Sequence, residues 1–289
     1  MDNRKQLTIY FLKTLLYNYK KTGRYNIGET LLETWVLREG THEDYLKMQQ
    51  IRKGENLETL LTDENWVIRA LLAENRHFLD ILVNDKDSRV RQYVAQYGTD
   101  KHLAILISDV DEIVRMHVAW RRYGLEKLIH DESEEVRWCV ACEEYRLDIL
   151  VNDPSPRVRE KVAQKGYGLK ILVHDKDYHV RCAVAKHGYG LDILVHDDNE
   201  WVLFVVIEQG YGFDILIHND NPRIRADVVE HCKDAKYLEI ALHDESPDVR
   251  RAVARRYYGL DILKNDENSY VASVAKEMLN KQILQSLCK

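Results

Sequence analysis

The chain lacks several things that would place it quickly. Nowhere in its 289 residues does an apolar run approach the roughly eighteen residues of a membrane-spanning helix. Its five cysteines are odd in number and follow no framework spacing, which fits a reducing compartment better than a disulfide scaffold. No nucleophile–base constellation, metalloprotease signature, Walker loop or dinucleotide fingerprint is present, so the residues give an enzyme no footing. Basic surplus is missing as well. The net charge is −6, with ten Lys/Arg against seven Asp/Glu in residues 1–55 and 32 against 41 in the remainder. An acidic body of this kind disfavours a general nucleic-acid binder, whose non-specific affinity comes from basic charge.

What is present is repetition. An aliphatic residue followed by arginine recurs at Ile68-Arg69, Val90-Arg91, Val114-Arg115, Val136-Arg137, Val158-Arg159, Val180-Arg181, Ile224-Arg225 and Val249-Arg250. Val202-Leu203 and Val271-Ala272 hold the same places with the arginine replaced, and successive spacings run 22, 24, 22, 22, 22, 22, 22, 25 and 22. A fixed period over so much chain is the mark of a solenoid, whose units bury their apolar faces by stacking. Ser155, Asn221 and Ser246 precede Pro156, Pro222 and Pro247, the pattern of an N-cap followed by proline in the first helical turn. Gly98, Gly166, Gly188 and Gly210 are expected to close these helices in the left-handed conformation. The apolar remainder, "GLDILVHD", predicts a second, short helix. The expected fold is all-α, an α-solenoid superhelix of about ten two-helix repeats of 22–25 residues.

With these residues in view, the stretch "TDKHLAILISDVDEIVRMHVA", Thr99 to Ala119, resembles the variant leucine-rich repeat, related in style to HEAT repeats. The resemblance spans residues 56–277 and implies a helical-repeat fold without implying any chemistry. The recurrent "GYG" departs from that family's Asn-Pro and Thr-Pro loop. A cysteine-rich N-terminal segment carrying an iron–sulfur cluster occurs in the family, but residues 1–55 hold no cysteine. No cofactor is expected.

A step of 100° per residue, with the aliphatic residue as position one, puts position two on a flank facing the next unit and positions three and seven outward. Arginine at position two has an aspartate six residues earlier in most units (Asp63, Asp85, Asp109, Asp131, Asp153, Asp175, Asp244), so a structural ladder is expected through Arg91, Arg115, Arg137, Arg159, Arg181, Arg225 and Arg250. The histidine column (His130, His174, His196, His218, His243) alternates with asparagine and reads as turn chemistry, because its members lie about 10 Å apart while zinc needs ligands near 2 Å. Cys139 and Cys142 lie within a helix and lack a second pair, so no metal site is expected. Large apolar residues at outward positions, Met116, Trp120, Trp138 and Phe204, are the candidate partner-binding stripe.

Residues 1–55 do not repeat and predict amphipathic helices, a helical cap or accessory module ahead of the solenoid of residues 56–289. Their polar start is unlike a signal peptide, and cytoplasm is the expected compartment. The functional expectation is a non-enzymatic scaffold that binds another protein, with no membrane and no small-molecule substrate. The alternative is a nucleic-acid-binding repeat protein using Arg251, Arg255 and Arg256; a HEAT-like DNA glycosylase is a weaker third reading.

Overall fold

A computed structural model describes residues 31–287, and among these every regular element is helical. The chain divides into two compact units, residues 1–123 and 124–289. The first contains α1 (Leu31–Glu39), α2 (His42–Lys53), a 3-10 turn (Leu57–Leu60), α3 (Trp66–Glu74), α4 (Leu79–Leu82), α5 (Ser88–Tyr97), α6 (Asp100–Leu106) and α7 (Glu112–Trp120). The second begins with α8 (Leu125–Leu128), α9 (Glu134–Cys142), α10 (Leu147–Leu150), α11 (Pro156–Gln164), α12 (Leu169–Leu172), α13 (Tyr178–Lys186) and α14 (Leu191–Leu194). It continues through α15 (Glu200–Glu208), α16 (Phe213–Leu216), α17 (Pro222–His231), α18 (Ala235–Leu242), α19 (Pro247–Arg255), α20 (Leu260–Leu263) and α21 (Ser269–Leu287).

Long and short helices alternate, and the long helices pack on one another. In the first unit α3, α5 and α7 lie side by side in that order, and in the second so do α9, α11, α13, α15, α17, α19 and α21. The core is the row of aliphatic residues at positions one and five, such as Val158, Val162, Val180 and Val184, all fully buried, with the last leucine of each short helix behind them (Leu150, Leu172, Leu194, Leu216). Burying one such leucine is worth about 2 kcal/mol. Alanine at position six, as Ala163 and Ala185, is also fully buried and permits the close approach of neighbouring helices.

Helix entry follows one recipe with two variants. Asp87, Asp111, Asp177, Asn199 and Asn221 accept a backbone N–H of the first turn in their side chains. Ser155 and Ser246 stand at the N-cap position, yet their hydroxyls do not cap. The preceding aspartate orders that turn instead, with Asp153 Oδ1 accepting the Ser155 N–H at 2.8 Å and Asp244 Oδ1 that of Ser246 at 2.8 Å.

Both glycines of "GYG" are left-handed. At Gly168 (φ +66°) an added Cβ would also lie 2.5 Å from Val151 Cγ2. Other units force ordinary residues into the same region, among them Arg76 (φ 61°), Glu144 (φ 58°) and Arg146 (φ 46°). Gly98 is the exception to the sequence expectation: its φ of −72° and ψ of 178° are extended. It ends α5 in one of the two lengthened units. The extra residues let the chain leave the helix extended and start a longer second helix with its own cap, Thr99 for α6 and Asp234 for α18.

Candidate functional site

The arginine column is built into the stack. Arg159 Nε and Nη2 donate to both oxygens of Asp175 at 2.6 and 2.8 Å, while Nη1 donates to the Asp153 carbonyl at 2.8 Å. Arg69–Asp85, Arg91–Asp109, Arg137–Asp153, Arg181–Asp197, Arg225–Asp244 and Arg250–Asp266 share this geometry. Arg115 likewise reaches the Asp109 carbonyl at 2.7 Å. Each of these seven pairs therefore joins an arginine to the aspartate of the following unit, while the arginine also donates to the backbone oxygen six residues earlier, an aspartate's in every case but Arg225, which meets that of Asn219. The carboxylate of the pair also orders the next helix entry, as Asp175 does by accepting the Asp177 N–H at 2.9 Å. The Arg250 guanidinium holds the Asp266 carboxyl below its ordinary value of 3.8.

The ladder lapses on both sides at once. Where arginine becomes Leu203, which is buried, the next unit carries Asn219, whose Oδ1 still accepts the Asn221 N–H at 2.9 Å without a charge to neutralise. At the other end Lys47 of α2 pairs with Asp63 at 2.8 Å, and Asn65 Nδ2 donates to Asp44 Oδ1 at 2.9 Å. Residues of α2 thus take the place of a preceding repeat.

The expected apolar stripe is only partly exposed. Met116 is 7% exposed and belongs to the core of the first unit. A wheel drawn on one helix omits its neighbours: α7 packs against α5, and in such a stack position three lies beside the adjacent helix. Trp120 is half-buried with the His117 ring edge-on at 5.0 Å, and burial lowers the His117 pKa to about 4. In the second unit Trp138 is half-buried under the Lys161 ammonium, 4.8 Å from the ring centroid, and Phe204 is half-buried against Trp201, centroids 5.8 Å apart.

Sequence reasoning missed Trp201, which is 57% exposed. It stands one residue before the aliphatic position, 60° around the helix from position three, so a wheel extended one residue backward finds it on the same outer face.

Two shallow cavities open on that face of the second unit. One, about 240 Å³, lies between α11 and α13 and includes Glu160, His179, Cys182 and Lys186. Burial pushes the Cys182 thiol up to about 11, which leaves it protonated and a poor nucleophile at neutral pH. The other, about 360 Å³, is lined by Phe204 of α15, by Arg223, Ala226, Asp227 and Glu230 of α17, and by Asp248, Arg251, Ala252 and Arg255 of α19.

The three arginines considered for phosphate contact have separate fates. Arg251 pairs with Asp248 at 3.0 Å and lies over the Tyr270 ring at 5.4 Å. Arg256 caps the end of α17, donating to the carbonyls of Val229, Glu230 and Cys232 at 2.7, 2.8 and 2.9 Å. Its guanidinium is thus engaged within the fold. Lengthening of the unit exposes those carbonyls, and Arg121 serves the carbonyls of Ala95, Gln96 and Gly98 in the same way at the other long unit. Arg255 is exposed, with no side-chain partner among the described residues.

No family model matches the sequence, and no curated protein matches it. A solved structure described as a leucine-rich repeat variant with a novel repetitive protein structural motif is similar to this chain, at 24% identity and a TM-score of 0.45, covering 75% of this chain and 88% of the other.

His174, His196 and His218 are exposed, and their backbone N–H groups close turns onto Ile171, Ile193 and Ile215. Tyr145 donates to Glu126 at 2.6 Å and Tyr258 to Glu239 at 2.7 Å. Among the described residues no group of three or more His, Cys, Asp or Glu is placed to hold a metal ion, and no helix is long and apolar enough to cross a membrane.

Proposed function

We propose that the chain is a non-enzymatic scaffold that binds another protein, and that the outer face of the long helices in residues 124–289 makes the contact. The observation that carries this reading is Trp201, more than half exposed and set edge-on to Phe204, where the packing of the stack requires no aromatic residue. Scaffold positions obey the repeat, and large rigid side chains outside it are the usual anchors of an interface. Burial keeps the Cys182 thiol of the neighbouring cavity protonated at neutral pH, which makes it a poor nucleophile.

The test is affinity capture from native lysate by the parent and by a Trp201→Ala/Phe204→Ala variant, each checked by circular dichroism. Loss of at least about 2 kcal/mol in binding of the captured protein is expected. Retention of the same partner at the same affinity by a folded variant excludes this face. Salt separates the nucleic-acid alternative: binding that falls steeply between 50 and 200 mM salt, by orders of magnitude, marks phosphate contacts. The engagement of Arg256 and Arg251 within the fold counts against that alternative.

A further inference from the structure

We propose that the cavity bordered by α15, α17 and α19 receives an extended acidic segment of the partner, one carboxylate lying on Arg223 and Arg255 and an adjacent apolar side chain lying against Phe204. The proposal rests on the protein-binding reading and names the chemistry of its ligand.

Its first support is shape. Phe204 occupies position three of α15, whereas Ala226 stands at position three of α17 and Ala252 at position four of α19, so short side chains floor a depression with an aromatic wall. The second is unused charge. Seven arginines of this stack form bidentate pairs with the next unit's aspartate, and Arg121 and Arg256 are spent on backbone carbonyls. Arg223 and Arg255 are exposed on this cavity and pair with no carboxylate among the described residues, although Asp227, Glu230 and Asp248 line the same space. A guanidinium presents a planar fork of donors that matches a carboxylate two bonds at a time, and two such forks flanking an apolar floor fit an acidic residue beside an aromatic or aliphatic one.

The surrounding acids decide between the two sources of anion. A nucleic acid brings a charge at every nucleotide, and its neighbouring phosphates would meet Asp227, Glu230 and Asp248. A peptide can place a single carboxylate between the arginines and neutral or basic residues beside the acids. The geometry therefore favours a peptide.

The probe is a library of random twelve-residue peptides displayed on phage and selected on the parent protein, with a twelve-nucleotide thymidine oligomer assayed in parallel. Selected peptides are expected to pair Asp or Glu with an aromatic or aliphatic neighbour. They should bind at least ten-fold more weakly to Arg223→Glu/Arg255→Glu and to Phe204→Ala, and unchanged to Lys264→Glu, a charge reversal outside the cavity. Both arginines are exposed, so the double variant should keep the parent melting temperature; if it does not, Arg223→Gln/Arg255→Gln replaces it in the same comparison. Selected peptides without acidic residues, or peptides that bind the folded arginine variant as tightly as the parent, overturn the acidic-ligand proposal. In that event dependence on Trp201 still upholds the scaffold reading. Binding of the oligomer that depends on Arg223 and Arg255, without selected peptides, overturns both.

Discussion

At the scale of single residues, the ladder arginines show why a charged column can be scaffold. Arg159 and Asp175 are each less than a tenth exposed in their side chains, and the guanidinium is also bonded to two backbone carbonyls. Removing one partner of a buried pair strands the other without water, so Arg159→Ala should cost about 3 kcal/mol, read as a lower midpoint in urea unfolding. An unchanged midpoint would show the pair to be solvated. Two residues contribute to the acid side of the stability profile in different pH windows. Asp266, held low by Arg250, contributes stability that is complete above its ordinary value of 3.8 and is lost as pH falls through its lower folded value. His117 acts earlier: its folded value of about 4 lies below the ordinary 6.5, so between those pH values the unfolded chain binds a proton that the folded chain refuses, and stability falls as pH drops across that window. A His117→Asn variant should show a flatter melting temperature between pH 6.5 and 4 than the parent.

At the scale of elements, the junction between long and short helix governs each unit. Gly168→Ala adds a methyl group to a left-handed residue and into Val151, and should destabilise by about 1–2 kcal/mol. The reverse change, Arg76→Gly, relieves a left-handed residue and should leave the melting temperature equal or a few degrees higher, the strain removed being offset in part by the freedom glycine adds to the unfolded chain. Thermal melts of the two variants decide it, and a loss of stability in Arg76→Gly would show that this side chain makes up for its backbone. The lengthened units are a second solution to the same junction, in which an arginine from the next long helix, Arg121 or Arg256, closes a helix end that glycine closes elsewhere.

For the molecule as a whole, the edge of a repeat stack is its exposed liability, because a terminal unit has an apolar flank and an unpaired ladder position. Helices α1 and α2 pack against α3 within the first unit, and Lys47 neutralises Asp63 where no repeat arginine precedes it. A chain beginning at residue 56 should therefore retain helical circular dichroism yet aggregate in size-exclusion chromatography, as Val67, Leu71 and their neighbours lose cover. A monomeric truncation with the parent melt would mark residues 1–55 as an independent module.

The amino-acid sequence by itself determined the period, the all-helical alternation, the arginine and aspartate columns and the proline-marked helix starts. These depend on spacing within one unit or between adjacent units, and identical units repeat the signal until it is unmistakable. Only the tertiary structure decided which aspartate each arginine takes, that Met116 is covered, that Arg256 is spent on the end of α17, and that Trp201, Phe204, Arg223 and Arg255 share one face. Those outcomes depend on the helix alongside, whose side chains a wheel drawn from one segment does not contain. The departures from the repeat, Leu203 with Asn219 and the small floor of Ala226 and Ala252, acquire meaning only when neighbouring units are set side by side, since each is defined by what the adjacent helix does or does not supply.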